Sequence, residues 1–397
     1  MSEAASLLRR AAIAGIGQSE VGRVPSVPTL ELQRRAATAA LEDCGLTFAD
    51  IDGLLTTPCR VEDWAMPCAM VAEELGLRPR YLATLDVAGA SGASMVHHAA
   101  MAVATGQAKA VLCVGGQDLL SHGGRSSAIG RMAGAGWAHP EFEAPTGPLV
   151  PTLYALIAQR HMHEFGTTPE QMAEVAVAMR GYAALNPAAH KQAPISIADV
   201  LASPMATTPL HMLDCAVVSD GAAAVIVTTA EHARDLRQRP IALRGQGYGY
   251  SHTYVGEYPT VTTTGAVDAG REAFRQAGVT PADIDIAELY DCFTITVIVE
   301  LEDLGFCKKG EGGAFVTGGR IGPGSSRRKG GLPVTTHGGL LSAGHFGTVG
   351  GMLHVLEGVR QLRGQAAARQ VPDTELVLVH GNGGIIGLHC TLILGHA

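Results

Sequence analysis

The sequence predicts an α/β protein made of two similar α/β halves packed in layers. Three observations carry that reading: an internal echo, helical runs alternating with β-branched apolar runs, and a composition rich in small residues. Of 397 residues, 50 are glycine, while aromatic residues make up 5% and charged residues 17%. A chain of this length buries substantial cores, and 47% hydrophobic residues excludes a disordered chain. Many small and few aromatic side chains suit closely packed layers joined by short turns.

The echo is the strongest of the three. Residues 40–52, ALEDCGLTFADID, return in form at 273–285 as AFRQAGVTPADID. Gly45, Asp50 and Asp52 fall in register with Gly278, Asp283 and Asp285. Each segment ends an amphipathic helical run and precedes a strand-like one, GLLTT or IAELYD. A looser echo relates 90–116 to 349–384, each a helical run behind a Gly-rich turn followed by an apolar strand, AVLCVGG or ELVLVHGNGG. The halves are placed at 1–118 with 201–235, and at 236–397. Residues 119–200 break the pattern with a polar, Gly/Pro-rich stretch and two helical runs. They are expected to form an inserted loop region over the mouth of the site.

Composition removes several function classes. A net charge of −8 with no basic stripe argues against nucleic acid. The eight cysteines include no CxxC pair, so no metal site is expected, and free thiols point to a reducing, cytoplasmic setting. The N-terminal apolar run is too short for a signal peptide or membrane span. GIGQSEVG and GNGGIIG do not open helices as a dinucleotide fingerprint requires. His97–His98, His161 and His163 sit in helical runs where close neighbours face different ways, which favours packing over metal binding.

The run Thr336–Gly347, THGGLLSAGHFG, holds His337 and His345 in a glycine-rich bend. Histidine in such a bend can act as a general base or an oxyanion donor near neutral pH. For His337 a structural role tying down the bend weighs about equally.

Several motifs then follow one another in a familiar order. GASG at Gly89–Gly92 opens a helix, SDGAAAVIV spans Ser219–Val227, YDCF spans Tyr290–Phe293, and GGLLSAGHFG is followed by HGNGG at His380–Gly384. Together they resemble the thiolase superfamily, in its sterol-carrier-protein and lipid-transfer-protein branch. The resemblance implies duplicated thiolase-like halves in a layered αβαβα architecture. It also implies catalysis by two cysteines, a loop histidine and an Asn or His in the third motif. Carried across, the nucleophile position is Gly89, the second cysteine position falls at about Gly381, and the third-motif position is Tyr290. His345 alone keeps the family identity.

Glycine offers no nucleophile for an acyl-enzyme. Donors at the site can still stabilise a thioester enolate. The Cys-less members that the chain resembles are aldolases of steroid side-chain degradation. They imply retro-aldol cleavage of a β-hydroxyacyl-CoA, with Tyr290 and His345 catalytic and Gly89, His337, Gly344, Gly381 and Gly383 binding substrate. They further imply no cofactor beyond the coenzyme A thioester of the substrate, a homodimer, and a small OB-fold/zinc-ribbon partner subunit. Those aldolases use a second, late tyrosine; Tyr290 is the last tyrosine here, so His345 must take that role. Two alternatives stand beside this: an acyltransferase with Cys292, or less readily Ser91 or Ser94, as an unusual nucleophile, and a non-catalytic acyl-CoA or lipid-binding subunit.

Overall fold

The computed structural model describes Leu8 and residues 10–397. Its main strands are β1 (Ala11–Gln18), β2 (Gly53–Thr56), β3 (Tyr81–Thr84), β4 (Ala110–Gln117), β7 (Gly221–Thr229), β8 (Ile241–Tyr250), β9 (Ile286–Leu289), β10 (Leu376–Gly383) and β11 (Leu388–His396), with a small hairpin of β5 (Met205–Thr207) and β6 (Leu210–His211) to one side. The nine strands run in the order β3-β2-β4-β7-β1-β8-β11-β10-β9. The order is palindromic about the β1–β8 seam. In the first half β2, β3 and β4 are parallel, and β7 runs antiparallel between β4 and β1. In the second, β9 and β10 are parallel, and β11 runs antiparallel between β10 and β8. Val334 bridges Ala287 where β3 would have its counterpart. Among the described residues, the two half-sheets pair through Ala12 with Ala242 and Ile13 with Ile241.

Two helices fill the space between the half-sheets: α2 (Ser91–Ala104) and α8 (Met352–Arg363). Each packs on strands of both halves, and Met95, Val96, Met352 and Val355 share one core with Val225 and Val379. On the outer faces, α1 (Thr29–Cys44) covers β1, β4 and β7, and α6 (Ala266–Ala277) covers β8 and β11. The result is the five-layered αβαβα stack expected from the sequence.

The echoing residues have identical backbone tasks. Gly45 and Gly278 end α1 and α6 in the left-handed conformation, at φ 82° and 72°, where a Cβ is penalised. Asp50 and Asp283 each accept the N–H of the threonine three residues earlier, at 2.8 Å. Asp52 accepts from the N–H groups of Lys109 and Ala110 at the start of β4. Asp285 does the same for Glu375 and Leu376 at the start of β10. Each carboxylate therefore sets the register between two parallel strands of its half.

The segment 119–200 divides in two. Its first part, with α3 (Gly124–Ala133), lines the cavity. Its second part, α4 (Val150–Phe165) and α5 (Pro169–Ala184), is not a lid. Tyr154, Ile157, Met172 and Met179 join Ile295, Ile298 and Leu340 in the core of the second half. Ile295 and Ile298 belong to α7 (Thr294–Asp303). Among the described residues no helix is long and apolar enough to cross a membrane.

Candidate active site

Tyr290 follows the last residue of β9 and is 4% exposed. Its ring reaches the short turn before α2, where Gly89 lies. A Cβ built on Gly89 would stand 2.2 Å from Tyr290 Cζ and 2.3 Å from its hydroxyl. The same Cβ would stand 2.5 Å from the backbone oxygen of Asn382, so Tyr290 and β10 together fill the space that a side chain at 89 would need.

The Tyr290 hydroxyl lies 3.3 Å from His345 Nε2. His345 Nδ1 accepts the N–H of Gly347 at 3.2 Å. A neutral imidazole has one N–H, so its proton sits on Nε2 and points at the phenol oxygen. Burial holds the His345 pKa down at about 4, which keeps the ring neutral at pH 7. Burial also pushes Tyr290 well above the usual phenol value, with Cys292, Asp291 and Glu300 adding to it. At rest the pair is a phenol and an imidazole, both uncharged.

Cys292 lines the same cavity, but burial pushes its thiol up to about 12. Only about one molecule in 10⁵ would carry the thiolate at pH 7, and the thiolate is the nucleophile. Ser91 is committed elsewhere, its Oγ accepting the N–H of Val87.

Asn382 completes the inner wall. Residues alternate faces along a strand, so β10 sends Asn382 into the cavity and Gly381 the other way. Asn382 Nδ2 donates to Glu300 Oε1 at 2.8 Å, and its Oδ1 lies 3.3 Å from the Tyr154 hydroxyl. Glu300 is fully buried, and desolvation raises its carboxyl well above the ordinary range. Sequence reading passed over Asn382 in favour of its glycine neighbour.

Of the residues expected at the site, Tyr290, His345 and Gly89 line the cavity. His337, Gly344, Gly381 and Gly383 do not line it. Gly381 and Gly383 lie against the 87–90 turn, where an added Cβ would meet Ala90 Cα at 2.9 Å and Val87 O at 2.1 Å. Gly344 leaves room for Val21. His337 sits behind the wall, its Nδ1 3.1 Å from Glu288. These four shape the site from behind. Asp291 fixes the π-turn Gly339–Ala343 by accepting the N–H groups of Leu340 and Leu341.

The cavity has a volume of about 360 Å³ and an apolar wall that includes Ile129, Met132, Trp137 and Met205. Arg60, Arg125 and Arg131 also contribute to it. Residues 10–203 match the family of the thiolase N-terminal domain, and residues 247–396 match the thiolase C-terminal domain-like family. The chain belongs to the thiolase family. It is 34% identical to an acetyl-CoA acetyltransferase of Methanothermobacter thermautotrophicus, over 96% of this chain and 99% of that protein. It is 36% identical to a 17-hydroxy-3-oxo-4-pregnene-20-carboxyl-CoA lyase of Mycobacterium tuberculosis, over 95% and 97% of the two chains. A solved structure, the "Ltp2-ChsH2(DUF35) aldolase", superposes with a TM-score of 0.85 at 34% identity, covering 98% of both chains. Thiolase-family membership fixes the fold and points to thioester chemistry; which reaction occurs is decided by residues such as Gly89 and Tyr290.

Proposed function

We propose that this chain is an acyl-CoA enzyme that cleaves a β-hydroxyacyl-CoA by a retro-aldol reaction, through a thioester enolate and without an acyl-enzyme. The observation that carries the reading is the Tyr290 ring standing in the side-chain space of Gly89. A proton acceptor occupies the place of a nucleophile. Tyr290 acts as the phenolate, its own proton having first left to solvent through the cavity; it takes the β-hydroxyl proton, the C–C bond breaks, and its electrons pass to the α-carbon as an enolate. The proton then returns to the α-carbon, leaving a carbonyl product and a shorter acyl-CoA. The His345 Nε2–H is a fixed donor for oxygen charge developing at the phenol or the thioester.

The apolar wall suits a bulky hydrocarbon β-substituent, and the steroid acyl-CoA in the name of one relative supports a polycyclic one. Arg125 and Arg131 supply charge for the phosphates of coenzyme A. The acyltransferase relative favours a Claisen-type reaction as the second reading, but Cys292 with its raised pKa makes a poor nucleophile. A homodimer, and a second subunit of the kind suggested by the two-part name of the similar aldolase, complete the proposal.

The test is incubation with β-hydroxyacyl-CoA thioesters bearing polycyclic or short alkyl β-substituents, with and without the product of the neighbouring reading frame. Release of a ketone or aldehyde with a shortened acyl-CoA, and an unchanged intact protein mass, is expected. A stable acyl adduct on the protein would instead establish the acyltransferase.

A further inference from the structure

His345 has one N–H, and it is directed at the Tyr290 hydroxyl. It cannot also bind the oxygen of a thioester enolate, so that charge needs a donor of its own. His354 of α8 does not supply one. It stands behind the Tyr290 ring, with centroids 6.0 Å apart, and its Nε2 faces Asp291 at 3.3 Å. The polar side chains that line the cavity are the remaining source.

Asn382 meets this need, because its carboxamide is held at both ends. Nδ2 donates one hydrogen to Glu300 Oε1 of α7 at 2.8 Å. Oδ1 lies 3.3 Å from the hydroxyl of Tyr154 on α4, which also has Gly384 O at 3.2 Å. Both neighbours are carbonyl oxygens that only accept, so the Tyr154 hydroxyl donates. Tyr154 is itself fixed, 2% exposed and stacked on Phe293 with centroids 4.4 Å apart. A donor at Oδ1 and an acceptor at Nδ2 allow one orientation of the amide. The bond to Oδ1 also polarises the N–H groups into stronger donors. Nδ2 carries two hydrogens, and the second has no partner among the described residues. Asn382 also lies against the Gly89 turn, where a built Cβ would be 2.5 Å from Asn382 O and 2.3 Å from the Tyr290 hydroxyl. The β-hydroxyl and thioester carbons of the substrate flank one α-carbon, so the enolate donor must lie close to Tyr290. Gln117, the other carboxamide lining the cavity, is bonded to Phe346 O and the Arg60 N–H and lies against Gly347 instead.

We propose that Asn382 is a catalytic residue whose second Nδ2 hydrogen binds the oxygen of the thioester enolate, and that Tyr154 is a positioning residue that holds the amide for it. The proposal deepens the aldolase reading and rests on it. No proton is transferred in this contact. As the C–C bond breaks, its electron pair enters the enolate and the Asn382 N–H hydrogen-bonds the oxygen charge. The contact weakens again when the α-carbon takes up the proton held by Tyr290 and the thioester carbonyl re-forms. A donor already fixed by Tyr154 and Glu300 needs no reorganisation at the moment of reaction.

Two assays on the full chain test it. One is cleavage of a β-hydroxyacyl-CoA. The other is exchange of the α-hydrogens of a short acyl-CoA in D₂O, read by mass spectrometry, which needs the enolate but no C–C cleavage. Asn382→Ala is expected to lower kcat and the exchange rate about 10²-fold, the size of one oxyanion donor. Tyr154→Phe keeps its ring on Phe293 and is expected to lower both about tenfold with KM unchanged. A folded Asn382→Ala that exchanges within about threefold of wild type overturns the proposal, even where its cleavage is slow. Should Asn382→Ala not fold, Tyr154→Phe decides, and exchange at the wild-type rate there overturns it too. Wild type that exchanges α-hydrogens but cleaves no β-hydroxyacyl-CoA removes the aldolase reading alone, and the variants still report on Asn382. Wild type that does neither removes both.

Discussion

The two halves have the same skeleton and opposite chemistry. Thr57 follows β2 as Tyr290 follows β9, and Asp52 and Asp285 clamp equivalent strands. Yet the outer core of the first half is apolar, built from residues such as Leu32, Leu41, Leu54 and Ile226. The second half buries Glu288, Asp291, Glu300, His337, His354 and Glu357 around its site. To the reacting center the first half contributes mainly the missing side chain at Gly89. A duplicated scaffold thus fixes two matching turns in space, while the chemistry is decided by a few residues in one copy. Those residues are polar and buried, so they weigh on stability as well as on rate.

Tyr290→Phe should break the asymmetry most sharply. The ring still fills the space over Gly89, so folding and acyl-CoA binding persist, while loss of the proton-transfer group costs about 10³-fold in kcat. A phenylalanine variant within about tenfold of wild type would remove Tyr290 from the mechanism. The converse is Gly89→Ala, which restores a side chain to the first half. With Cβ at 2.2 Å from the Tyr290 ring and 2.5 Å from Asn382 O, both the tyrosine and the β10 backbone must shift. Activity should drop about 10²-fold, as expected for a misplaced catalytic group, and overpacking should cost about 1–3 kcal/mol. Unchanged melting and turnover would show that the two residues do not compete for one space.

Acid should expose the second half's polar burden. His345 and His389 have pKa values held at about 4 by burial, and burial also lowers His380 well below the ordinary value; in the first half His97 is lowered to about 4. The unfolded chain binds these protons from about 6.5 downward and the folded chain refuses them until about 4. Stability is therefore level above pH 6.5 and falls between about 6.5 and 4, by about 1.4 kcal/mol per pH unit for each such histidine. His389→Asn should flatten the slope of denaturant-derived stability against pH by about that amount. A slope equal to wild type would mean that His389 titrates alike in both states.

How much was legible beforehand follows from the range of each interaction. The fold was readable because Gly45 and Asp50 do local backbone work, and because Asp52 and Asp285, though they bind distant strands, stand at matching places in the repeated segment. Tyr290 and His345 were readable because each sits in a motif that survives the loss of its cysteines. Asn382, Glu300 and His354 were not. Glu300 lies in the apolar helical run TITVIVELED, and its partner Asn382 is 82 positions away. His354 and Asp291 are 63 positions apart. Nothing near either residue announces its partner. Gly344, Gly381 and Gly383 misled in the other direction. Glycine signals close approach, but here the approaching groups belong to the protein's own chain.

Glu300→Gln should have the smallest effect and sorts the buried polar groups into those that react and those that only hold shape. Burial raises the Glu300 carboxyl well above the ordinary range, which favours the neutral acid, and an amide keeps that acid's shape. Its Oε1 can still accept from Asn382, and the other oxygen has no partner to lose. Stability should change by less than about 1 kcal/mol, and kcat by less than about threefold. If the variant instead loses about 10²-fold in kcat, the size of a general-base contribution, with binding intact, Glu300 ionises during turnover. The reacting part of the second half would then extend one layer deeper than the cavity wall.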